Sequence, residues 1–173
     1  MITMEMTKRN DPERQLRRQL GRQVELGRLV MLVVLGITFV NQILLLCGVR
    51  YHFFLSAAMP YYLNWLAIGL DVGAFKAVAT IVTLMIYVGL AACWLLSGRL
   101  VEWMLAALVF YGVDTLLLAV FALTLLEKPS ACLLEIVTHG VGIAALYWSF
   151  RSLERLTKMP RRRPRPVEPD AVS

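Results

Sequence analysis

Four apolar runs, each about as long as a membrane is thick, dominate the pattern of residues along the chain. They are Leu29–Val49, Ala77–Ser97, Val101–Leu126 and Ser130–Phe150. A helix needs roughly 20 apolar residues to cross a hydrocarbon core about 30 Å thick. None of the runs alternates between apolar and polar residues as a barrel strand would. The pattern therefore predicts an all-α, polytopic membrane protein with four transmembrane helices in a bundle.

A fifth stretch, Phe53–Leu70, is also free of charge and nearly long enough to span. Pro60 and Asn64 interrupt it, and proline disturbs the interior of a helix. Aromatic residues favour the level of the lipid headgroups, and this stretch contains Tyr61, Tyr62 and Trp65. We expect an external re-entrant or interfacial segment here, with residues 50–76 forming a cap on the outer side.

Basic residues collect before the first span and after the last one. They are Lys8, Arg9, Arg14, Arg17, Arg18, Arg22 and Arg28 in the first group, and Arg151, Arg155, Lys158, Arg161, Arg162, Arg163 and Arg165 in the second. Because basic flanks stay in the cytoplasm, both termini are expected there, in a bacterial cytoplasmic membrane. Two cytoplasmic ends require an even number of crossings. This count predicts that Phe53–Leu70 does not cross.

The two terminal segments differ in character. Residues 1–28 are expected to form a cytoplasmic, basic, amphipathic helix on the membrane surface, with Asp11 as its N-cap and Leu16, Leu20 and Val24 on one side. Residues 151–173 read as a basic, proline-rich tail. Both ends could contact anionic lipid headgroups, or they could serve only to fix topology.

Composition agrees with the pattern, since 58% of the residues are hydrophobic and only 17% are charged. This excludes an ordinary soluble domain. The net charge of +6 arises at the membrane flanks, without a nucleic-acid-binding motif, so the lipid bilayer and not nucleic acid is the expected partner. A membrane-protein partner or a homo-oligomer is also compatible with the sequence.

Small residues suggest packing roles. Cys47, Cys93 and Cys132 are too scattered for a redox motif or a zinc site. A disulfide between Cys47 and Cys132 and a simple filling role both remain open. In the fourth span, Gly140 and Gly142 favour close approach of a neighbouring helix.

The chemistry-bearing residues are polar groups inside the spans, where a charge is costly. The polar intramembrane cluster comprises Asn41, Gln42, Tyr111, Asp114, Thr115, Glu135 and His139. Asp114 and His139 fall at similar depth, and Glu135 shares a helical face with His139. We expect Asp114 to face the bundle interior and to contact His139 directly, or through Asn41 or a water.

Three interpretations of the cluster remain open. Its members are compatible with hydrogen bonds that hold the helices together, with a proton or ion path, or with a metal site made by Asp114, Glu135 and His139. Their spacing matches no metalloprotease or di-iron motif. No cofactor is expected, and no catalytic residue is identified. The function indicated is a non-enzymatic small membrane component, either an accessory subunit or a proton- or ion-coupled carrier. The alternative is a metal-dependent intramembrane enzyme.

Several segments carry a resemblance that covers most of the chain: NQILLLCG, YHFFLSAAMPYYLNWL, GVDTLLLAVF and EIVTHGVGIAALYWSFRSLERLTKMP. With these segments the chain resembles small uncharacterised bacterial four-span integral membrane proteins. The pattern is carried here by Asn41 with Gln42, Ser56 to Leu63, Asp114 with Thr115, and Glu135 with His139. The resemblance implies the four-span topology and supplies no activity.

Overall fold

The computed structural model describes residues 12–49, 51–125 and 132–160, and these residues are helical apart from short connections. They form five helices: α1 (Pro12–Leu46), α2 (Ala58–Leu70), α3 (Gly73–Leu96), α4 (Val101–Leu125) and α5 (Leu133–Lys158). There is no strand in this part of the chain. The predicted all-α class is confirmed.

Four of the five helices in the described ranges are long and apolar enough to cross a membrane. They are α1, α3, α4 and α5, and their most apolar stretches have a mean hydropathy between 1.3 and 2.5. One predicted span lies on each of them. In contrast, α2 has 13 residues, which gives it a length of about 20 Å, too short for a hydrocarbon core of about 30 Å. The fold is therefore that of a membrane-compatible helical protein with one additional short helix.

The N-terminal basic segment differs from expectation, because it continues the first span. A single helix of 35 residues runs from Pro12 to Leu46, with a length of about 52 Å. Leu20 and Val24 are buried by packing inside the protein, where a membrane-surface helix would turn them toward lipid. Asp11, the expected cap, lies outside the described residues. Over residues 12–28 the segment is therefore continuous with the first span.

The two ends of the protein can be distinguished by what they carry. We call the end with the described chain termini the terminal end; there the Arg17 guanidinium donates to the Pro160 carbonyl over 2.7 Å. The α3–α4 turn lies near this end, because the guanidinium of Arg28 reaches the Trp94 carbonyl and would touch a Cβ at Gly98. The opposite end, which carries residues 47–49, residues 51–57 and α2, is the cap end.

Close helix packing depends on two glycines. A Cβ on Gly27 of α1 would lie 2.3 Å from the Ser149 hydroxyl oxygen of α5. A Cβ on Gly142 of α5 would lie 2.7 Å from the Tyr111 ring of α4. By contrast, a Cβ on Gly140 would meet nothing within 4 Å. The packing role predicted for Gly142 is therefore confirmed, and the one predicted for Gly140 is wrong. The sequence did not point to Gly27.

The cysteines serve as separate side chains. Cys47 is exposed, Cys93 and Cys132 are buried, and all three are free thiols. No disulfide therefore links Cys47 to Cys132, although that pairing was one of the two possibilities left by the sequence.

Candidate functional site

The candidate site is built around non-helical backbone that enters the bundle from the cap end. We call residues 51–70 the re-entrant segment; its first part, residues 51–57, is irregular and leads into α2. Ser56, Ala57 and Ala58 are each at most 2% exposed. Irregular backbone at membrane depth is tolerated only where protein groups satisfy its N–H and C=O groups. The segment therefore needs hydrogen-bonding partners from the helices around it.

Helix α1 supplies the first set of partners. The Asn41 side chain accepts from the Phe53 N–H and donates to the Phe53 carbonyl, both over 2.8 Å. It also donates to the Ser56 hydroxyl over 2.9 Å. One turn away, the Thr38 hydroxyl accepts from the Ala57 N–H over 2.8 Å. These two α1 side chains hold the irregular backbone against the first helix.

Asp114 of α4 holds the start of α2. Its two carboxylate oxygens accept from the backbone N–H groups of Ala58 and Met59, over 2.8 and 2.9 Å. The N-cap position of α2 is Ala57, whose side chain cannot accept a hydrogen bond. A carboxylate is favourable there because the first N–H groups of a helix lack internal partners and carry the positive end of its dipole. Asp114 therefore caps a helix to which it does not belong.

His139 of α5 completes the environment of Asp114. Its Nε2 atom lies 3.2 Å from the Asp114 Oδ2 atom, the direct contact expected from the sequence, and both side chains are almost fully buried. Its Nδ1 atom lies 2.9 Å from the Glu135 carbonyl oxygen. The imidazole also stacks on the Tyr111 ring, with 4.8 Å between ring centres. His139 is thus fixed on three sides.

The hydrogen bonds of His139 determine where its protons lie. A backbone carbonyl only accepts, so Nδ1 must carry a proton to bond the Glu135 carbonyl. Nε2 then faces the Asp114 carboxylate, and a single proton between the two atoms satisfies both. That proton can reside on either partner, giving an imidazolium with a carboxylate or a neutral imidazole with a carboxylic acid. The geometry of the Asp114/His139 pair therefore suits one shared proton.

Glu135 directs its carboxylate away from Asp114, toward the cap end. Its Oε2 atom accepts from the Tyr62 hydroxyl over 3.0 Å and lies 3.4 Å from the His52 Nε2 atom. Burial raises the pKa of Tyr62, and the nearby Glu135 carboxylate raises it further, so the phenol remains a donor. The Oε1 atom of Glu135 is buried without a hydrogen-bond partner. The His52 side chain is 20% exposed and connects this group to the protein surface.

The polar contacts extend from the cap end to the middle of the bundle and stop there. One helical turn before Asp114 on α4, the Tyr111 hydroxyl is buried and has no hydrogen-bond partner. Beyond it lies a packed apolar layer that includes Met31, Met104 and Leu146. Within the described part of the chain, the network is therefore open toward one end only.

Two residues of the predicted cluster lie outside this network. The Thr115 hydroxyl donates to the Tyr111 carbonyl of its own helix. Gln42 instead lines an apolar cleft of about 730 Å³ between α1 and α3, together with Tyr87. The network thus brings together Asn41, Asp114, Glu135 and His139 from the predicted set, and Tyr111 joins them only through its ring, which stacks on His139.

The arrangement does not resemble a metal centre. No group of three or more His, Cys, Asp or Glu side chains could hold a metal ion within residues 12–49, 51–125 and 132–160. Both Asp114 oxygens already accept N–H bonds, and Glu135 approaches His139 with its carbonyl and not its carboxylate. No observation therefore favours the metal-dependent enzyme.

Sequence reasoning missed the groups that the re-entrant segment itself contributes. His52 and Tyr62 contact Glu135, and Ser56 contacts Asn41. The Asn64 amide further ties α2 to α3 by donating to the Thr83 hydroxyl over 2.6 Å. The sequence predicted an external re-entrant or interfacial segment, and the re-entrant alternative would have pointed to such contacts, because irregular backbone inside a bundle must find its partners on polar residues of the surrounding helices.

Comparison of the chain with protein-family models, with curated proteins and with solved structures finds no match.

Proposed function

We propose that the protein is a multi-pass component of the bacterial cytoplasmic membrane, with both termini in the cytoplasm and the cap end outside. Support comes from the two basic groups at the chain ends, since basic flanks remain cytoplasmic. The contact between Arg17 and the Pro160 carbonyl agrees with ends that share one side. In this orientation His52 and the re-entrant segment face the exterior.

We further propose a non-enzymatic, proton-coupled role for this component. The Asp114/His139 pair binds one proton, and its protonation state is linked to the seating of the re-entrant segment. We call the segment seated when its hydrogen bonds to Asp114, Asn41 and Thr38 are formed. The observation that carries the proposal is that the same Asp114 oxygens bond the start of α2, while one of them faces His139.

Three protonation states of the pair have different consequences for the segment. With one proton, every contact is satisfied. With two, Asp114 is a carboxylic acid beside an imidazolium, so its O–H group faces N–H donors and one of these contacts is lost. With none, the lone pair of His139 Nε2 faces the carboxylate and repels it. Seating is therefore most stable at intermediate pH and weaker on either side.

Within the described residues the polar network opens toward the cap end only, and this indicates how the site exchanges protons. A proton channel needs a continuous path, whereas the polar contacts here end at an apolar layer near Met104. A site that exchanges protons with one face fits an accessory subunit that responds to external pH. It equally fits the outward-facing state of a minimal carrier. Both are non-enzymatic, and both depend on the same linkage.

The coupling between protonation and seating is tested by measuring how often the re-entrant segment becomes unseated. Ala57→Cys is introduced into a variant whose natural cysteines are replaced by alanine, and Tyr51→Cys provides an exposed reference. Both thiols are labelled with a membrane-impermeant maleimide in lipid nanodiscs across a range of pH. The ratio of the two labelling rates reports unseating, because the reference carries the intrinsic pH dependence of thiol reactivity.

The ratio is expected to pass through a minimum at intermediate pH. His139→Gln should remove that minimum, because a glutamine cannot gain or lose the shared proton. Thr115→Val, which alters a hydroxyl outside the network, should keep the wild-type profile. A flat wild-type profile, or an unchanged minimum in His139→Gln, would overturn the proposed role.

A further inference from the structure

We propose that a basic notch at the terminal end binds the phosphate headgroup of an anionic phospholipid. The notch has a volume of about 420 Å³ and lies between α1 and α5. It is lined by Gln23, Tyr147, Trp148, Arg151, Ser152 and Arg155. The site is independent of the polar network at the cap end.

The level of the notch along the bundle suits a lipid headgroup. Ser149 packs on Gly27, and the adjacent Arg28 lies against the α3–α4 turn at Gly98. These contacts place Ser149 at the depth where two of the spanning helices end. Trp148, which is 65% exposed, therefore lies at the boundary of the hydrocarbon, and the arginines that follow it lie beyond. Tryptophan is typical of this interfacial level.

The charge of the notch matches a phosphate diester. Arg151 and Arg155 are one helical turn apart and line the same cavity. Arg151 is partly neutralised by Glu154, 3.1 Å away. Arg155 has no carboxylate partner among the residues that the structure describes. An adjoining depression on α1 shares Gln23 with the notch and adds two more arginines, Arg18 and Arg22.

A stripe of exposed apolar residues continues from the notch along α5. Leu134, Val141 and Trp148 follow one another at intervals of seven residues, and the next position in the series is Arg155. Seven residues are nearly two helical turns, so these positions share one face. All three apolar side chains are more than half exposed. A lipid with its phosphate at Arg155 would therefore find a surface for its acyl chain directly above it.

This stripe favours a lipid over other anionic partners. An acidic peptide or a free phosphate could neutralise the arginines, but neither carries an acyl chain that could lie along the adjoining apolar stripe. A phospholipid uses both features at once, because its charge and its acyl chain are joined at the required depth. Anionic lipids are also abundant in the cytoplasmic leaflet.

The proposal is tested on the full-length protein by native mass spectrometry in detergent. Phosphatidylglycerol and phosphatidylcholine with identical acyl chains are compared as ligands. We expect tighter binding of phosphatidylglycerol, and Arg155→Gln should weaken that binding by about five-fold. Arg151→Gln with Arg155→Gln should weaken it further. Arg99→Gln serves as the matched control, because it removes one charge from the turn at the same end without touching the notch.

Several outcomes would overturn the proposal. They are equal binding of the two lipids, full retention of the preference in the double variant, and an equal loss in Arg99→Gln, which would indicate diffuse charge attraction. Competition by inorganic phosphate as effective as that by the lipid would instead identify a phosphate site without a lipid. A thermal unfolding curve for each variant checks folding, which these exposed substitutions should not disturb.

Discussion

Asp114 is stable inside an apolar bundle because both of its carboxylate oxygens accept hydrogen bonds from buried donors. Two backbone N–H groups bond its two oxygens, and His139 supplies a further contact. Burial of a carboxylate costs several kcal/mol unless it is paired and hydrogen-bonded. The position of this residue is therefore explained by the helix end that it caps as much as by the imidazole beside it.

Replacement of Asp114 by asparagine should destabilise the protein. If Asp114 had a purely structural role and needed only one acceptor oxygen, this substitution would be well tolerated. Here both oxygens accept backbone N–H bonds, so an amide must direct its NH2 group at one of those donors. Loss of such a bond costs about 1–3 kcal/mol. Thermal unfolding in detergent measures the effect, with Thr115→Val as a control expected to change little.

The coupling between Asp114 and His139 can be measured separately. The single substitutions Asp114→Ala and His139→Ala should each destabilise the protein, because each leaves a buried polar partner without compensation. The double substitution should be less harmful than their sum, with a coupling free energy of about 0.5–3 kcal/mol. Additive effects in equilibrium unfolding would show that the two side chains act independently.

At the scale of elements, the short helix α2 depends on neighbouring helices for contacts at its N-terminus and at its middle. It cannot cap its own N-terminus, and Asn64 ties its middle to Thr83 of α3. The long helices α1 and α5 instead support one another through the close approach of Gly27 to Ser149. Small residues are what allow helix backbones to approach closely in a membrane protein.

Gly27→Ala should separate α1 from α5. The added Cβ would lie 2.3 Å from the Ser149 hydroxyl oxygen, so one helix must move. Overpacking of this kind costs about 1–3 kcal/mol. Gly36→Ala is the matched control on the same helix, since its Cβ would meet nothing within 4 Å. Equal melting temperatures for the two variants would contradict this packing.

At the scale of the whole molecule, the sequence predicts the number of apolar helices and the short segment between the first two. Run length and charge are sufficient for both, because the bilayer sets the length of a span. The sequence does not predict that α1 continues without a break from Pro12. That continuity depends on burial of Leu20 and Val24 within the protein, which is a tertiary effect.

The site was predictable only in part, for a related reason. Depth along the spans was enough to expect the contact between Asp114 and His139. Helical periodicity could not show that Glu135 turns its carboxylate toward Tyr62, or that Gln42 faces a cleft at α3. These directions depend on how each helix is rotated about its axis in the packed bundle, which periodicity does not determine.

The orientation of the molecule gives a further prediction. Single cysteines at Leu70 and Arg99 lie at opposite ends, so an impermeant reagent added outside intact cells should label Leu70→Cys and not Arg99→Cys. Leu70 suits this purpose because it is 54% exposed. Labelling of both positions from the same side would contradict the proposed topology.

The proton shared by Asp114 and His139 is tested most directly by nitrogen-15 NMR of histidine-labelled protein in nanodiscs. The chain has two histidines, and His52→Gln assigns their signals. The account predicts that Nδ1 of His139 stays protonated at every pH at which the protein is folded, while only Nε2 changes with pH. A neutral His139 with its proton on Nε2 alone, or an Nε2 signal that does not respond to pH, would contradict it.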